Sequence, residues 1–282
     1  MKRFIMLLLV FLFFISTSTS IWAMKEKKEA YVKTYIPALN KPFKISRSKL
    51  SLFCECSRCF YLDCKRGVRR PACFPYTLNN AIDMLLKKEF DIYREKQEAH
   101  PLFAENNINA VPFKHHRLNT WRDAYKSTGI AYTVPNTNLI ISGGIDDVWI
   151  DQETKELIIV DYKATSKNGI ILKDTDLFPA YKEQIEIYQW LFRKNGFKVS
   201  NTAYFVYCNA KQDRDRFDKK LDFDITFVPY IGDDSWVEPA IMAAYWCLQY
   251  DKMPMPDKDC SYCAYRLAIK NLCDASVHSK NL

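Results

Sequence analysis

The stretch from Leu139 to Lys163, LIISGGIDDVWIDQETKELIIVDYK, constrains this chain more than any other. Val148-Trp149-Ile150 and Leu157-Ile158-Ile159-Val160 are β-rich runs on either side of the polar connection Asp151 to Glu156, which predicts a hairpin. Leu139, Ile140 and Ile141 lead into it through Gly143-Gly144. The connection is centred between Glu153 and Thr154, so symmetric pairing sets Asp146 opposite Asp161. Directly opposed residues have Cβ atoms about 5 Å apart. Two ionised carboxylates at that distance repel by about 3 kcal/mol at an effective dielectric near 20. A divalent cation between them turns the repulsion into chelation. Lys163 follows Asp161 by two residues and shares its strand face. Two acids and an ammonium therefore converge at one strand end.

Other elements can be read around this hairpin. Ser46 or Ser48 caps a helix carrying Leu50, Phe53, Cys56 and Phe60, with Cys56 and Cys59 on one face. Arg66 to Pro75 is a basic loop broken by Gly67 and prolines. Thr77 caps a longer helix whose apolar stripe is Ala81, Ile82, Leu85, Leu86 and Phe90, with Asp83 and Lys87 beside it. His100 to Asp123 is irregular and holds the basic cluster Lys114-His115-His116-Arg117, whose histidines are expected in solvent. Lys167 to Pro179 is a loop, and Tyr181 to Lys194 is a helix ending near Gly196. Strands follow at Thr202 to Cys208 and Phe223 to Pro229, then a helix at Trp236 to Tyr250. This order predicts an α/β fold with a mixed central sheet flanked by helices. Both hairpin strands are rich in β-branched and aromatic residues, as in a sheet covered on both faces.

Gly143-Gly144-Ile145-Asp146, then Asp161-Tyr162-Lys163, then Gln184 and Tyr188 resembles the RecB-like branch of the PD-(D/E)XK nuclease superfamily, of the kind found in CRISPR-associated and AddB-type exonuclease domains. That pattern is G-x-x-D, D-x-K and Q-x-x-x-Y in this order. The segment from Ser48 through Cys56 and Cys59 to Phe60-Tyr61 is similar to the lead-in of these domains. The resemblance implies a metal-dependent DNA nuclease acting in repair, recombination or defence, with DNA as partner and a helicase or other recombination or defence protein beside it. It implies Mg2+ or Mn2+ at Asp146 and Asp161, Lys163 at the developing charge, and Gln184 and Tyr188 as orienting groups. The branch usually completes its metal site with a histidine on the first core helix. The register here puts Asp83 there instead, an oxygen ligand that suits magnesium or manganese, with Glu89 as a fallback.

The cysteines carry a second message. Cys56-x-x-Cys59 and Cys260-x-x-Cys263 have metal-ligand spacing, and four thiolates suit Zn2+ or an iron–sulfur cluster. The resembling nucleases form their cluster from one early cysteine and three late ones, which makes Cys273 the competing fourth ligand in place of Cys59. Either centre would tie the N-terminal to the C-terminal segment across roughly 200 residues.

Composition bounds the rest. With 282 residues and 48% hydrophobic, the chain can bury one substantial core with a small appended module. A net charge of +8 favours a polyanionic partner. Residues 1–23 resemble a secretory leader, Lys2-Arg3 followed by an apolar run too short to span a bilayer, or mark a mis-assigned start. Cys-x-x-Cys pairs in a chain of this size suggest metal ligation in a reducing compartment, hence a start at Met24, a cytoplasmic location and no membrane partner. The expected divisions are 24–75 as N-terminal arm and cysteine helix, 76–250 as nuclease core and 251–282 as C-terminal cysteine segment. Two other functions stay open: a nucleic-acid-binding protein whose nuclease site has decayed, which the aspartate at position 83 would suit, and an exported disulfide-bonded protein.

Overall fold

The computed structural model describes residues 34–39, 41–72, 74, 76–123, 129–167 and 177–278. The leader, the start at Met24 and most of the loop from Lys167 to Pro179 lie outside the described residues.

The hairpin forms from β5 (Asp147–Asp151) and β6 (Leu157–Thr165), paired antiparallel from Asp147↔Val160 to Ile150↔Leu157. Asp151 organises the turn: its carboxylate accepts from the backbone N–H groups of Glu153 at 2.9 Å and Thr154 at 2.7 Å. Continuing the register by one step sets Asp146 opposite Asp161, as the symmetric reading expected. The ladder itself stops at Asp147, so Asp146 hangs off the strand end and is not held to one face.

Five strands make the larger sheet, in the order β2 (Ala110–Pro112), β5, β6, β7 (Thr202–Ala210), β8 (Phe223–Ile231). Only β6 and β7 run parallel, joined by a crossover containing helix α6 (Pro179–Lys194); the other pairs are antiparallel. Alternate residues supply two cores. Val148, Ile159, Phe205 and Val228 face Ile185, Tyr188 and Leu191 of α6. Trp149, Ile158, Val160, Val206 and Phe227 pack with Leu86 and Phe90 of α3 (Thr77–Lys96). Both faces are covered, which is why these strands read as continuous apolar runs.

The segment Leu139–Gly143, expected as the lead-in of the hairpin, is instead β4, the centre of a second mixed sheet. It lies between β1 (Phe43–Ser46), parallel, and β3 (Ile130–Thr133), antiparallel. The chain changes sheets at Gly144-Ile145, where the Ile145 N–H binds the Trp121 carbonyl at 3.1 Å in α5 (Leu118–Arg122). A Cβ on Gly129 would lie 2.0 Å from the Gly143 carbonyl oxygen, so that close crossing requires glycine. Neither β1 nor β3 was legible from its own residues.

The single cysteine helix is two helices. α1 (Arg47–Glu55) is capped by Ser46, whose hydroxyl accepts from Lys49 N at 3.3 Å, and α2 (Ser57–Arg66) follows. Cys56, with φ −162° and ψ 104°, is the extended joint. Thr77 lies inside α3 and does not cap it; Tyr76 takes that place without a side-chain bond. Between α3 and β2 a short helix, α4 (Pro101–Glu105), brings Phe103 into the second core. α7 (Val237–Gln249) buries Val237, Ile241, Ala244 and Leu248, and α8 (Ser261–His278) starts within the second cysteine pair, just after Cys260. Among the described residues no helix is long and apolar enough to cross a membrane.

Candidate active site

Asp161 is fully buried on β6, and its Oδ2 contacts Lys163 Nζ, the residue two further on and on the same face. Across the register, Asp146 Oδ2 accepts from the Tyr162 N–H at 2.9 Å, which pins the free strand end to β6. Gln184 and Tyr188 stand one turn apart on α6 and close the site from that side. Gln184 Nε2 donates to Asp161 Oδ1 at 2.7 Å, and Gln184 Oε1 accepts from Lys163 Nζ at 3.4 Å. The Tyr188 hydroxyl donates to the Gly144 carbonyl at 2.6 Å. A Cβ on Gly143 would come within 2.6 Å of the Tyr188 ring, so the glycine makes room for the tyrosine. Tyr188 is at once a core residue and a neighbour of the acids.

The opposite wall is α3. Lys87 Nζ binds Asp83 Oδ2 at 2.7 Å and Asp146 Oδ1 at 3.3 Å. Asp83 and Asp146, with Asn79, Tyr162, Lys163 and Tyr181, line a cavity of about 290 Å³. Burial raises the Asp161 carboxyl to about 6, with Asp146 adding to the rise and Lys163 opposing it. The Asp83 carboxyl rises as well, from burial first and the Asp146 charge second. For Lys87 burial works against the charge, but Asp146 and Asp83 outweigh it and its pKa rises.

A family model for the PD-(D/E)XK nuclease superfamily matches residues 78–268. The chain belongs to that superfamily. No curated protein matches it. Membership of the PD-(D/E)XK nucleases implies nuclease activity in general and the use of divalent metals.

The acids fit such an ion. Among the described residues, Asp83 Oδ1 is buried without a hydrogen-bond partner, and Asp161 Oδ2 is buried against the Lys163 ammonium. The donors are carboxylate oxygens, which hard divalent ions prefer. Asp83 lies at the cavity as its register expected, but its bonded neighbour is Lys87. Glu89 does not reach the site: it pairs with His100 Nε2 at 2.9 Å. Six residues on a helix turn about 240°, so Asp83 and Glu89 face different ways. The solvated-histidine reading also needs correction at His115, which stacks on Trp121 at 4.4 Å.

Sequence reasoning missed the group that holds Asp146 in place. Asp147, fully buried, binds Arg94 Nη2, Arg122 Nη2 at 3.0 Å and the Tyr162 hydroxyl at 2.7 Å. Arg122 Nε also donates to the Asp146 carbonyl at 3.0 Å, and Asp91 receives both arginines. The available signal was a second aspartate beside Asp146 at a core-facing strand position, where a charge requires partners.

The four cysteines meet elsewhere. Cys56, Cys59, Cys260 and Cys263 are buried with their sulfurs mutually within 4.8 Å. Cys273 is exposed on α8 and stands outside the group, so the arrangement with three late cysteines is not the one formed. Four thiols in this setting suit zinc or an iron–sulfur centre.

Proposed function

We propose that the chain is a magnesium- or manganese-dependent deoxyribonuclease of the RecB-like branch, acting on DNA in repair, recombination or defence. The observation that supports this most directly is the grouping of Asp146, Asp161, Lys163, Gln184 and Tyr188 from the turn before β5, strand β6 and helix α6, with Asp146 and Lys163 lining the cavity. In this reading Asp146 and Asp161 hold the ion and Asp83 completes its oxygen set from the opposite wall. A bound ion of this kind supplies an acidified water and neutralises phosphoryl oxygens. Lys163, steered by Gln184 and lying 4.2 Å over the Tyr181 ring, presents an ammonium to the scissile phosphate. Gln184 fixes the plane of the Asp161 carboxylate, and Tyr188 fixes the turn that delivers Asp146. The net charge of +8 favours the polyanionic substrate. A cytoplasmic location and a helicase or other recombination or defence partner belong to the same reading. The exported alternative loses support because the described cysteines form no disulfide.

A second reading, a nucleic-acid-binding protein with a decayed site, is favoured by one observation: an ammonium lies between Asp83 and Asp146, where an ion would bind. Incubating purified protein with linear and circular DNA, in manganese or in chelator, separates the two. Cleavage in manganese alone supports the nuclease, and binding without cleavage supports the second reading.

A further inference from the structure

The two Cys-x-x-Cys motifs are built alike. Cys56 is the N-cap of α2 and Cys59 lies in that helix's first turn. Cys260 immediately precedes α8 and Cys263 lies in its first turn, with Ala264 N bound to the Cys260 carbonyl at 3.0 Å. Two helix N-termini thus aim their thiols and their positive dipole ends at one point.

Sulfur spacing identifies what that point can hold. Cys59 Sγ lies 3.6 Å from Cys260 Sγ and 3.7 Å from Cys263 Sγ, and Cys56 Sγ lies 3.9 Å from Cys263 Sγ. A disulfide would need a separation of about 2.05 Å, far below any of these. One tetrahedral ion with zinc–sulfur bonds near 2.3 Å puts its ligands about 3.8 Å apart, which matches. An iron–sulfur cluster distributes its cysteines over separate irons bridged by sulfide, so its thiolates stand farther apart than around one ion. We infer that Cys56, Cys59, Cys260 and Cys263 hold a single zinc ion in a closed site of four thiolates, not an iron–sulfur cluster.

The surroundings agree with that charge and that role. None of the four residues is more than 8% exposed, which leaves no open coordination position for water or substrate. Four thiolates around a divalent ion carry two net negative charges. Arg70 answers them: Nη2 reaches Cys260 Sγ at 3.4 Å, Nη1 is held by both Glu55 oxygens at 2.7 Å, and the guanidinium stacks 4.4 Å over Tyr262. Such outer groups orient ligands and tune affinity. The ion would pin an attachment that α2 already begins. Arg58 Nε donates to the Pro254 carbonyl, and the Tyr61 hydroxyl to the Asp251 carbonyl, each at 2.8 Å. The ligands closest across the join are 201 residues apart, so the site closes nearly the whole fold. It is structural and separate from the acid cleft, and it stands whether or not the chain cleaves DNA.

The test is elemental. Full-length protein purified anaerobically without chelator should contain about one zinc per chain, with no sulfide and no visible absorbance. Cobalt exchanged into the site should give the intense bands of tetrahedral thiolate coordination. Cys263→Ser should reduce zinc to less than about a tenth of the wild-type content. Because that variant can fail to fold, Arg70→Ala is the second: it should retain zinc but yield it to a competing chelator at about 10- to 100-fold lower affinity. Iron with acid-labile sulfide, or a folded wild-type protein free of metal, would overturn the zinc assignment. Unchanged affinity in Arg70→Ala would overturn the part given to the arginine.

Discussion

The acid cleft and the thiol site solve the same problem, gathering negative charge, in opposite ways. At the thiol site four like ligands close around one point with a single arginine beyond them. At the acid cleft each carboxylate already has a proton donor or cation: Tyr162 N on Asp146, Gln184 and Lys163 on Asp161, and Lys87 shared by Asp146 and Asp83. The thiols need their ion to hold the join, whereas the acids are held before any ion arrives. Stability should therefore follow the cysteines and chemistry the carboxylates. The cleft even opposes stability, since burial lifts Asp161 to about 6, above its ordinary value.

The sharpest way to break that contrast is at Asp161 and Lys163. Asp161→Ala and Lys163→Ala should each lower metal-dependent cleavage by about a thousandfold or more while zinc content and fold persist. Activity within about threefold of wild type in either variant would end the site assignment. Asp161→Asn should be equally inactive yet melt a few degrees higher at neutral pH, because it removes a buried charge. The sign follows from linkage. A carboxyl whose folded pKa is raised binds more protons folded than unfolded, so the wild type loses stability as pH rises from about 4 to 6. The melting difference between wild type and Asp161→Asn should shrink as pH falls through that window, and a difference that grows would contradict it.

Next in size is the thiol side of the comparison. Stripping zinc with a strong chelator should lower Tm by roughly ten degrees, given a loop closure worth a few kcal/mol. A weak chelator that removes only magnesium or manganese should stop cleavage and leave Tm nearly unmoved. Equal Tm losses with the two chelators would mean that the sites are not divided between structure and chemistry.

A smaller effect tests the ammonium in the cleft. With Lys87→Met, Asp83 and Asp146 lose their shared counter-ion, and a divalent cation meets no competitor there. Manganese binding, followed by the loss of free-ion signal in titration, should tighten several-fold. Asp83→Asn should weaken it if Asp83 is a ligand. Tightening in both variants would make Asp83 the holder of Lys87 and remove it from the ion.

How far these sites were legible depends on how local their causes are. The opposition of Asp146 and Asp161 followed from a symmetric turn, and the pairing of Gln184 with Tyr188 from helical spacing, both short-range geometry. The cysteine pairs were legible because Cys-x-x-Cys needs only one helix start. What was missed depends on distant partners. Leu139–Gly143 has the composition of a hairpin strand, but its neighbours are β1, almost a hundred residues earlier, and β3. The break at Cys56 has no proline or glycine to announce it. Asp147 looked like a repeat of Asp146, and only the fold brings Arg94 and Arg122 to it from two other helices.

The smallest effect is at Tyr188, where the core and the cleft share one side chain. Tyr188→Phe keeps the ring among Ile185, Leu191 and the sheet and deletes the bond to the Gly144 carbonyl, together with the longer one received from Gln184 Nε2 at 3.4 Å. A lost hydrogen bond of this kind costs about 1 kcal/mol, and the carbonyl left behind is on the turn that carries Asp146. The expected result is a Tm lowered by a few degrees and cleavage reduced about tenfold, with the loss in kcat and little change in KM. Gly143→Ala approaches the same contact from the other side: its new methyl group meets the ring at 2.6 Å and must push it away, costing about 1–3 kcal/mol. If the tyrosine positions Asp146, both variants should move manganese affinity in the same direction. If it serves only the fold, both variants should lower Tm and leave manganese affinity unchanged.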